Sequence, residues 1–485
     1  MRESGWKLLP AAFFLLLNFF AAPAKHLFWL RLGYVLFLVC LFFFLRSVDL
    51  KRVLPFLAAG LSVILFAYGI LQRYLLFPMY LRQFAATDSF YVRAMRIRIE
   101  SGRVFSIFSL PTFHAFVCGL LLLFIFHYLL RQHGWLKMFW ALLFLAGLFN
   151  LLLTQSFGGI LALAAGLLFY LFYSRTLSAR FLAPLVMFLA LIFFIVVAMR
   201  FSEARQLEPV KLRLNNWTQA VRVMADSPLW GVGLGNYEIA VPPYIKPGEA
   251  SSIYAHNFFL QLLAETGVPL FLLLLVLIGT LAGKHLTRLV NRSHVLFLSA
   301  LLLIFLHNLI DVGGYFFFAG IALAVCLAQL LLVADANARR QRLWLLPLLV
   351  ISIPLILGMV ADDWQRNGDF LASRGETDLA RVNYQKSLRL VSGNYRSLMG
   401  LAMLAEREGQ TVRAQEYLIK VLRVHPHFSY AAYLYSQLRY RDGDLWPALF
   451  YAQQAARSNR KNADYQRWHD SLKSLCQNKP IQPGN

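Results

Sequence analysis

The chain is 485 residues long, 59% hydrophobic and 15% aromatic, and only 15% of its residues are charged. Soluble globular chains carry about a quarter charged residues, so the composition excludes an ordinary soluble protein and indicates a membrane protein. The formal net charge of +23 does not indicate a nucleic-acid partner. Much of the excess lies in short loops between apolar runs, where basic residues set membrane topology.

Eleven apolar runs are long enough to cross a bilayer, and all end by residue 360. They predict an all-α fold, with a polytopic membrane domain over 1–360 and a soluble domain over 361–485. The first run resembles a secretory signal, but further runs follow it at once, so we expect an uncleaved span. The predicted spans are 8–22, 27–45, 53–71, 104–130, 135–153, 157–173, 181–199, 258–283, 294–311, 313–334 and 342–360.

Lysine and arginine are concentrated in the loops that follow even-numbered spans, which makes those loops cytoplasmic by the positive-inside tendency. The N-terminus is then cytoplasmic as well. Because the span number is odd, the loop 200–257 and the C-terminal domain lie in the periplasm, outside a bacterial inner membrane. The basic loop residues are Arg46, Lys51, Arg52, Arg131, Lys137, Arg175, Arg180, Lys284, Arg288, Arg292, Arg339, Arg340 and Arg342.

Two outer segments carry arginines that topology does not explain, residues 72–103 and residues 200–257. A polyanionic ligand at the outer leaflet is one explanation, because guanidinium binds phosphate through a fixed fork of donors. The alternative is that these side chains reach the phosphates of outer-leaflet lipids.

The cysteines predict neither a disulfide framework nor a metal site. Cys40, Cys118 and Cys326 lie inside apolar runs, and Cys476 is close to the end of the chain. Clustered carboxylates of the kind that hold a divalent cation are also missing from the sequence. We therefore expect no metal and no cofactor.

His256 stands at the boundary between a polar loop and an apolar run. Gly231, Gly233 and Gly235 in that loop permit tight turns near a ligand, although no strand precedes them as a dinucleotide site requires. After His256 the run FFLQLLAE is broken at Gly267, which predicts a short interfacial helix. An imidazole, with an ordinary pKa of about 6.5, suits a general base, but a lone histidine is more often structural.

A 34-residue period marks the C-terminal domain, where Gly375, Gly409 and Gly443 recur at that spacing. This period is typical of tetratricopeptide helix pairs, and three units can stack into a short solenoid. A plain scaffold and a binding surface for a protein partner or a glycan are both compatible with it. Small and apolar residues keep the same register at Ala380, Ala414, Ala448, Tyr384, Leu418, Ala452, Leu388, Leu422 and Ala456, and Pro426 follows a second helix.

The pattern His-Asn-x-x-Leu-x-x-x-x-Glu-x-Gly begins at His256 and ends at Gly267. It resembles the signature of the O-antigen ligase and polymerase superfamily. SPLWGVGLGNY at 227–237 is similar to the glycine-rich segment of that family, and Arg213 with Trp217 to its Arg-x-x-x-Trp segment. The resemblance covers about residues 100 to 320, and some members carry periplasmic tetratricopeptide repeats.

Two further segments extend the resemblance, and one departs from it. RVFSIFSLPTFHAF, which begins at Arg103, is similar to the family's Arg-x-Phe-Ser segment, and His307 with Asp311 to its His-x-x-x-Asp pattern. The family commonly has Thr-x-Ser-Arg at the outer end of a middle span. This chain reads TQSFGG, so Phe157 stands where an arginine that grips a lipid diphosphate is expected.

What the resemblance implies is transfer of a glycan from a polyprenyl-diphosphate donor to a hydroxyl of a glycan, lipid or protein acceptor. His256 is then the general base, with inversion at the anomeric carbon and no metal. Arg213 is the first candidate for diphosphate contact. The other candidates are Arg103 and Arg222 for the diphosphate, His307 and Asp311 for orienting the site or pairing with each other, and Tyr254 and Trp217 for stacking on sugars.

Glu265 is nine residues after His256 and faces nearly the opposite way on a continuous helix, so we expect it to be structural. Ligase and polymerase share this chemistry and differ in acceptor, which the sequence does not separate. A flippase for lipid-linked glycans is the main alternative, although it would place charges within the spans. A non-catalytic membrane scaffold of a polysaccharide assembly complex is another, and Phe157 supports it. Membrane lipids are expected partners and nucleic acid is not.

Overall fold

The computed structural model describes residues 9–46, 48–84, 96–108, 110–174, 208–250, 252–286, 292–331, 338–460 and 462–478. Within these ranges the regular secondary structure is helical and no β-strand is present, which confirms the predicted all-α class. The predicted span at 181–199 lies outside the described residues.

Among the described residues, six helices are long and apolar enough to cross a membrane, and four shorter apolar helices accompany them. The chain is thus a multi-pass membrane protein, while the total of eleven spans stays a prediction. In chain order the helices are α1 (Leu9–Ala21), α2 (Lys25–Leu45), α3 (Leu54–Leu71), α4 (Phe77–Phe84), α5 (Pro111–Leu129), α6 (Gly134–Leu153), α7 (Phe157–Tyr173), α8 (Glu208–Asp226), α9 (Tyr237–Ala240), α10 (Phe258–Leu286), α11 (Arg292–Ile310), α12 (Phe317–Leu330) and α13 (Ala338–Ser373).

Helix α5 forms the centre of the membrane bundle. Its side chains are apolar on all sides, and a helix of that kind is stable only when neighbours surround it. Phe116, Leu122 and Ile125 are fully buried, and α3, α6, α7 and α11 pack around them. The segment before Pro111, which contains Arg103, therefore lies at one end of the bundle.

The start of α5 differs from the predicted span 104–130. The helix begins at Pro111, after Leu110 in an extended conformation, because proline is favoured in the first turn of a helix and disfavours helical geometry before it. The preceding residues instead form a loop whose Val104 N–H donates to the carbonyl of Leu153 at 3.0 Å. Arg103 is thereby brought to the end of α6.

The predicted domain boundary at residue 360 lies inside a helix. Helix α13 runs from Ala338 to Ser373 without a linker. The change from apolar to charged sequence at Asp362 and Asp363 therefore lies within the helix and does not end it. One continuous helix thus joins the membrane bundle to the C-terminal helices.

The C-terminal part consists of antiparallel helices joined by short turns. Gly375, Gly409 and Gly443 have φ values of 80°, 72° and 86°, a left-handed geometry that glycine adopts without strain. Their spacing gives helix pairs a 34-residue period, although assignment to the tetratricopeptide family stays a prediction. The helices are α14 (Thr377–Leu390), α15 (Tyr395–Arg407), α16 (Thr411–Val424), α17 (Ser429–Arg441), α18 (Leu445–Ser458) and α19 (Ala463–Asn478).

The C-terminal helices contact the loop that precedes His256. Tyr395 Oη and Arg396 Nη2 both donate to Glu238 Oε1 at 2.6 Å, and α18 packs on the turn Pro242–Tyr244. The two sequence regions therefore meet at the same end of the bundle.

Candidate functional site

Asp311, directly after α11, connects the segments that form the site. Its Oδ1 accepts hydrogen bonds from His256 Nδ1 at 3.2 Å and from the Val312 N–H at 2.8 Å. Its backbone carbonyl accepts from the Phe258 N–H at 3.0 Å. Since a carboxylate only accepts, His256 Nδ1 carries the proton and Nε2 is the basic nitrogen of the neutral ring.

His256 adopts a backbone conformation that is unusual for a residue with a side chain. Its φ is 50°, and such left-handed residues persist only where the surroundings hold them. Trp217 on α8 contributes to this, because its Nε1 donates to the His256 carbonyl at 3.1 Å. Trp217 thus helps to hold the His256 backbone, and its role in sugar stacking stays a prediction.

The carboxylate of Asp311 is kept ionised although it is only 3% exposed. Burial by itself would raise the pKa of Asp311, but the hydrogen bond from His256 and the electrostatic attraction of His307 and His256 hold that pKa well below its ordinary value. A fixed negative charge beside an imidazole stabilises the imidazolium that forms when the ring accepts a proton.

Arg213 reaches the same turn from α8. Its Nε donates to the carbonyl of Ile310 at 3.2 Å, one residue before Asp311. No hydrogen bond joins its Nη1 or Nη2 to the described part of the chain. A half-buried guanidinium with two nitrogens available is therefore held next to the His256–Asp311 pair.

Arg103 is anchored at the turn where Phe157 replaces the expected arginine. Its Nε donates to the Thr154 carbonyl at 2.9 Å, and Ser156 caps α7 by accepting from the Gly159 N–H at 3.3 Å. This turn also lies against Ile310, since a methyl group added to Gly158 would be 2.5 Å from Ile310 Cδ1. Arg103 is thus attached to the segment that borders Asp311.

Arg222 has a structural partner instead. Its Nη1 and Nη2 each donate to Glu249 at 2.8 Å, and Nη1 also donates to the Tyr244 carbonyl at 3.0 Å. The hydrogen bond from Arg222 lowers the pKa of Glu249 to about 2. The ion pair joins α8 to the loop between α8 and α10. The Arg222 guanidinium is therefore already bonded within the protein.

His307 and Tyr254, two further candidates, each pack against an aromatic ring. His307 is 1% exposed, and its ring centroid is 4.9 Å from that of Phe116. Its Nδ1 has no hydrogen-bond partner among the described residues, so Asp311 is bonded to His256 and not to His307. The Tyr254 ring lies 6.0 Å from that of Phe316 and packs on the turn that follows Asp311.

The glycine-rich segment before His256 packs on protein, and the expectation that its glycines permit turns near a ligand stays a prediction. Gly231, Gly233 and Gly235 have φ values of 64°, 91° and 78°. A Cβ at Gly231 would meet the Glu265 backbone, one at Gly233 would meet Ala22, and one at Gly235 would meet Arg31. The glycines therefore allow this segment to lie between the end of α1 and α10.

Glu265 fixes the far side of that segment. It is fully buried, its Oε2 accepts from the Gly235 N–H at 2.7 Å, and its backbone carbonyl accepts from the Gly233 N–H at 3.0 Å. Two residues later Gly267, with φ 74° and ψ 169°, breaks α10, as its sequence predicts. This geometry agrees with the structural role expected for Glu265.

Residues 140–275 match the family model described as O-antigen ligase. This match supports the resemblance of this part of the chain to the O-antigen ligase and polymerase superfamily. The matched ligase domain includes Arg213, Trp217 and His256, whereas Arg103, His307 and Asp311 lie outside it. A comparison with curated proteins gave no match. The match supports glycan transfer of the ligase or polymerase type in general.

The ligase domain alone does not contain the whole site. Asp311, the partner of His256, is 55 residues further along the chain, and the sequence offered two roles for it, orienting the site or pairing with His307. The backbone role of Trp217 was likewise not predicted. Within the described residues no group of three or more His, Cys, Asp or Glu side chains is placed to hold a metal ion.

Replacing Gly231 by alanine tests the packing of the glycine-rich segment. We expect Gly231→Ala to destabilise the protein by about 2–4 kcal/mol, because it adds left-handed strain to a clash with the Glu265 backbone. Gly248, with φ 82° and no neighbour within 4 Å of an added Cβ, should cost only about 1–2 kcal/mol. Thermal unfolding in detergent measures both, and equal losses would contradict the packing.

Glu249→Gln should lower stability at neutral pH by about 1–3 kcal/mol, because it removes a two-point hydrogen bond to Arg222. The folded pKa of about 2 is below the ordinary 4.5, so the stabilisation is present above pH 4.5. It is lost as the pH falls from 4.5 towards 2. Thermal unfolding of both proteins across this range should therefore show a difference that shrinks on acidification.

Glu376→Gln is the matched control for that measurement. Glu376 pairs with Arg374 at 3.0 Å with side chains 38% and 58% exposed, and exposed pairs contribute about 0–1 kcal/mol. If Glu376→Gln lowered stability as much as Glu249→Gln, the Arg222–Glu249 pair would contribute no more than an exposed ion pair.

Proposed function

We propose that the chain transfers a glycan from a polyprenyl-diphosphate donor to a hydroxyl acceptor at the periplasmic face of the bacterial inner membrane. The observation that carries the proposal is the His256–Asp311 pair with Arg213 held beside it, at the edge of the ligase domain. The distribution of basic loop residues supports the orientation.

In this proposal His256 Nε2 takes the proton of the acceptor hydroxyl. The hydroxyl oxygen bonds to the anomeric carbon, and the bond from that carbon to the diphosphate oxygen breaks with its electron pair leaving on the diphosphate. Attack from the face opposite the leaving group inverts the anomeric configuration. Asp311 holds the ring by Nδ1 and stabilises the imidazolium, as an aspartate does in a catalytic triad.

The leaving diphosphate needs cations where its charge develops. Arg213 is the first candidate, because its Nε is anchored and its two terminal nitrogens point away from that anchor as a fork. Arg103, bonded to the Thr154 carbonyl beside Phe157, supports a second contact and substitutes for the missing family arginine. Arg222 is not needed, since Glu249 occupies it.

The guanidinium groups supply the positive charge, so the proposed reaction is independent of metal. The acceptor hydroxyl belongs to a glycan, a lipid or a protein. The His256–Asp311 pair suits any of these, because all three present the same oxygen to His256.

His256→Ala in the purified, reconstituted protein should reduce transfer from a polyprenyl-diphosphate oligosaccharide by about 10²–10⁴-fold, the contribution of a general base. Asp311→Asn should cause a smaller loss, because the ring remains but its orientation and imidazolium are less favoured. His133→Ala, an exposed histidine in a short loop, is the control and should be fully active.

Chelation separates this mechanism from its rivals. Transfer should continue in EDTA, and a requirement for a divalent ion would overturn the proposal. A purified wild-type protein that forms no product, together with normal product in cells that carry His256→Ala, would favour the scaffold or flippase alternative, in which the ring has no chemical task.

Arg213→Lys keeps the positive charge but loses the two-point fork, so we expect kcat to fall about tenfold, and Arg213→Ala to lower it at least a hundredfold. The loss should appear in kcat more than in KM if the contact strengthens as the diphosphate departs. Arg131→Ala, an exposed arginine between α5 and α6, is the control. Equal activity of Arg213→Ala and the wild type would remove Arg213 from the mechanism.

A further inference from the structure

A cavity of about 340 Å³ lies at the junction between the membrane bundle and the C-terminal helices. It is separate from the His256–Asp311 pair, and neither residue lines it. Helix α2, the outer part of α13, the loop before His256 and the start of α15 all contribute walls. Its volume is in the range of pockets that bind small molecules or single sugar residues.

The walls of the cavity combine apolar and polar residues. Leu27 and Leu30 of α2 and Leu355 and Met359 of α13 are apolar. The polar lining residues are Tyr34, Tyr254, Glu238, Asp362, Asn394 and Tyr395. A ligand that fits these walls offers both apolar surface and hydroxyl groups.

The two arginines of the cavity already have partners. Arg31 Nη1 donates to the Tyr315 carbonyl at 2.8 Å, and its guanidinium lies 4.1 Å from the Tyr315 ring centroid. Arg396 Nη2 donates to Glu238 at 2.6 Å. Arg396 is thus paired with a carboxylate, and Arg31 is held by a carbonyl and an aromatic ring.

Asp362 is the acceptor that remains accessible. Its side chain is exposed to the cavity, and it accepts a hydrogen bond from Asn394 Nδ2 at 3.3 Å. A carboxylate with spare lone pairs accepts hydrogen bonds from hydroxyls and repels phosphate. With Glu238 and Glu265 also in the wall, the cavity favours an uncharged polyol over a diphosphate.

We propose that this cavity binds an uncharged sugar residue of the acceptor glycan. The inference rests on the proposed transfer reaction and names its acceptor as a glycan. Asp362 accepts hydrogen bonds from the sugar hydroxyls, and the rings of Tyr254 and Tyr395 supply flat walls. Tyr254 belongs to the cavity wall and is two residues before His256, so the cavity and the base share one loop.

The C-terminal helices form part of the cavity wall. Asn394, Tyr395 and Arg396 are the residues at the start of α15 that complete the polar wall. The cavity is therefore incomplete without them, and the repeat-like part of the chain contributes directly to acceptor binding.

Binding to the full chain in detergent tests the proposal. The probe is the oligosaccharide released by mild acid from the lipid-linked glycans of cells that make the protein, and its Kd is measured by calorimetry. We expect saturable binding that Asp362→Asn weakens about tenfold, the effect of losing one hydrogen bond to a charged group. The variant keeps an oxygen for Asn394, so the fold is preserved. Asp363→Asn, on the next, exposed residue, should bind like the wild type.

Failure of this inference is distinguishable from failure of the proposed reaction. His256→Ala should bind the probe normally while losing transfer. If transfer requires His256 but Asp362→Asn binds the probe as tightly as the wild type, the acceptor site is wrong and the reaction stands. Binding of only the polyprenyl-diphosphate form, unaffected by Asp362→Asn, would also overturn the inference, because the cavity would then select the lipid diphosphate.

Discussion

The structure of the candidate site depends on one constraint, the attachment of the loop containing His256 to the end of α11. Asp311 makes that attachment with its side chain, which bonds the imidazole, and with its backbone, which bonds Phe258. Arg213 grips the preceding carbonyl of Ile310. Base and cation are thus positioned from adjacent residues of a rigid helix end, which limits their relative motion.

The glycine-rich segment makes this attachment possible. Its backbone passes between α1 and α10 only because Gly231, Gly233 and Gly235 lack side chains. Glu265 accepts hydrogen bonds from the N–H groups of this segment. The buried carboxylate of Glu265 has a structural role, since it accepts a hydrogen bond from a backbone N–H group that would otherwise be buried without a partner.

Charge is distributed so that two neighbouring regions suit different chemical groups. Arg213 and Arg103 stand on the side of the His256–Asp311 pair, whereas the junction cavity carries carboxylates whose nearby arginines are already paired. A leaving diphosphate is negatively charged and an incoming hydroxyl is neutral, so the first suits the arginines and the second suits the cavity.

The sequence by itself determined the all-α membrane class, the resemblance to the ligase family and the break at Gly267, because apolar run length, motif order and glycine are local properties. It also singled out His256 and Arg213. The tertiary structure decided that Asp311 pairs with His256 and not with His307, that Trp217 holds a backbone carbonyl, and that Glu249 occupies Arg222. It likewise brought Arg103 to the turn that contains Phe157. These partners are far apart along the chain, and only the packing of helices selects among the possible ones.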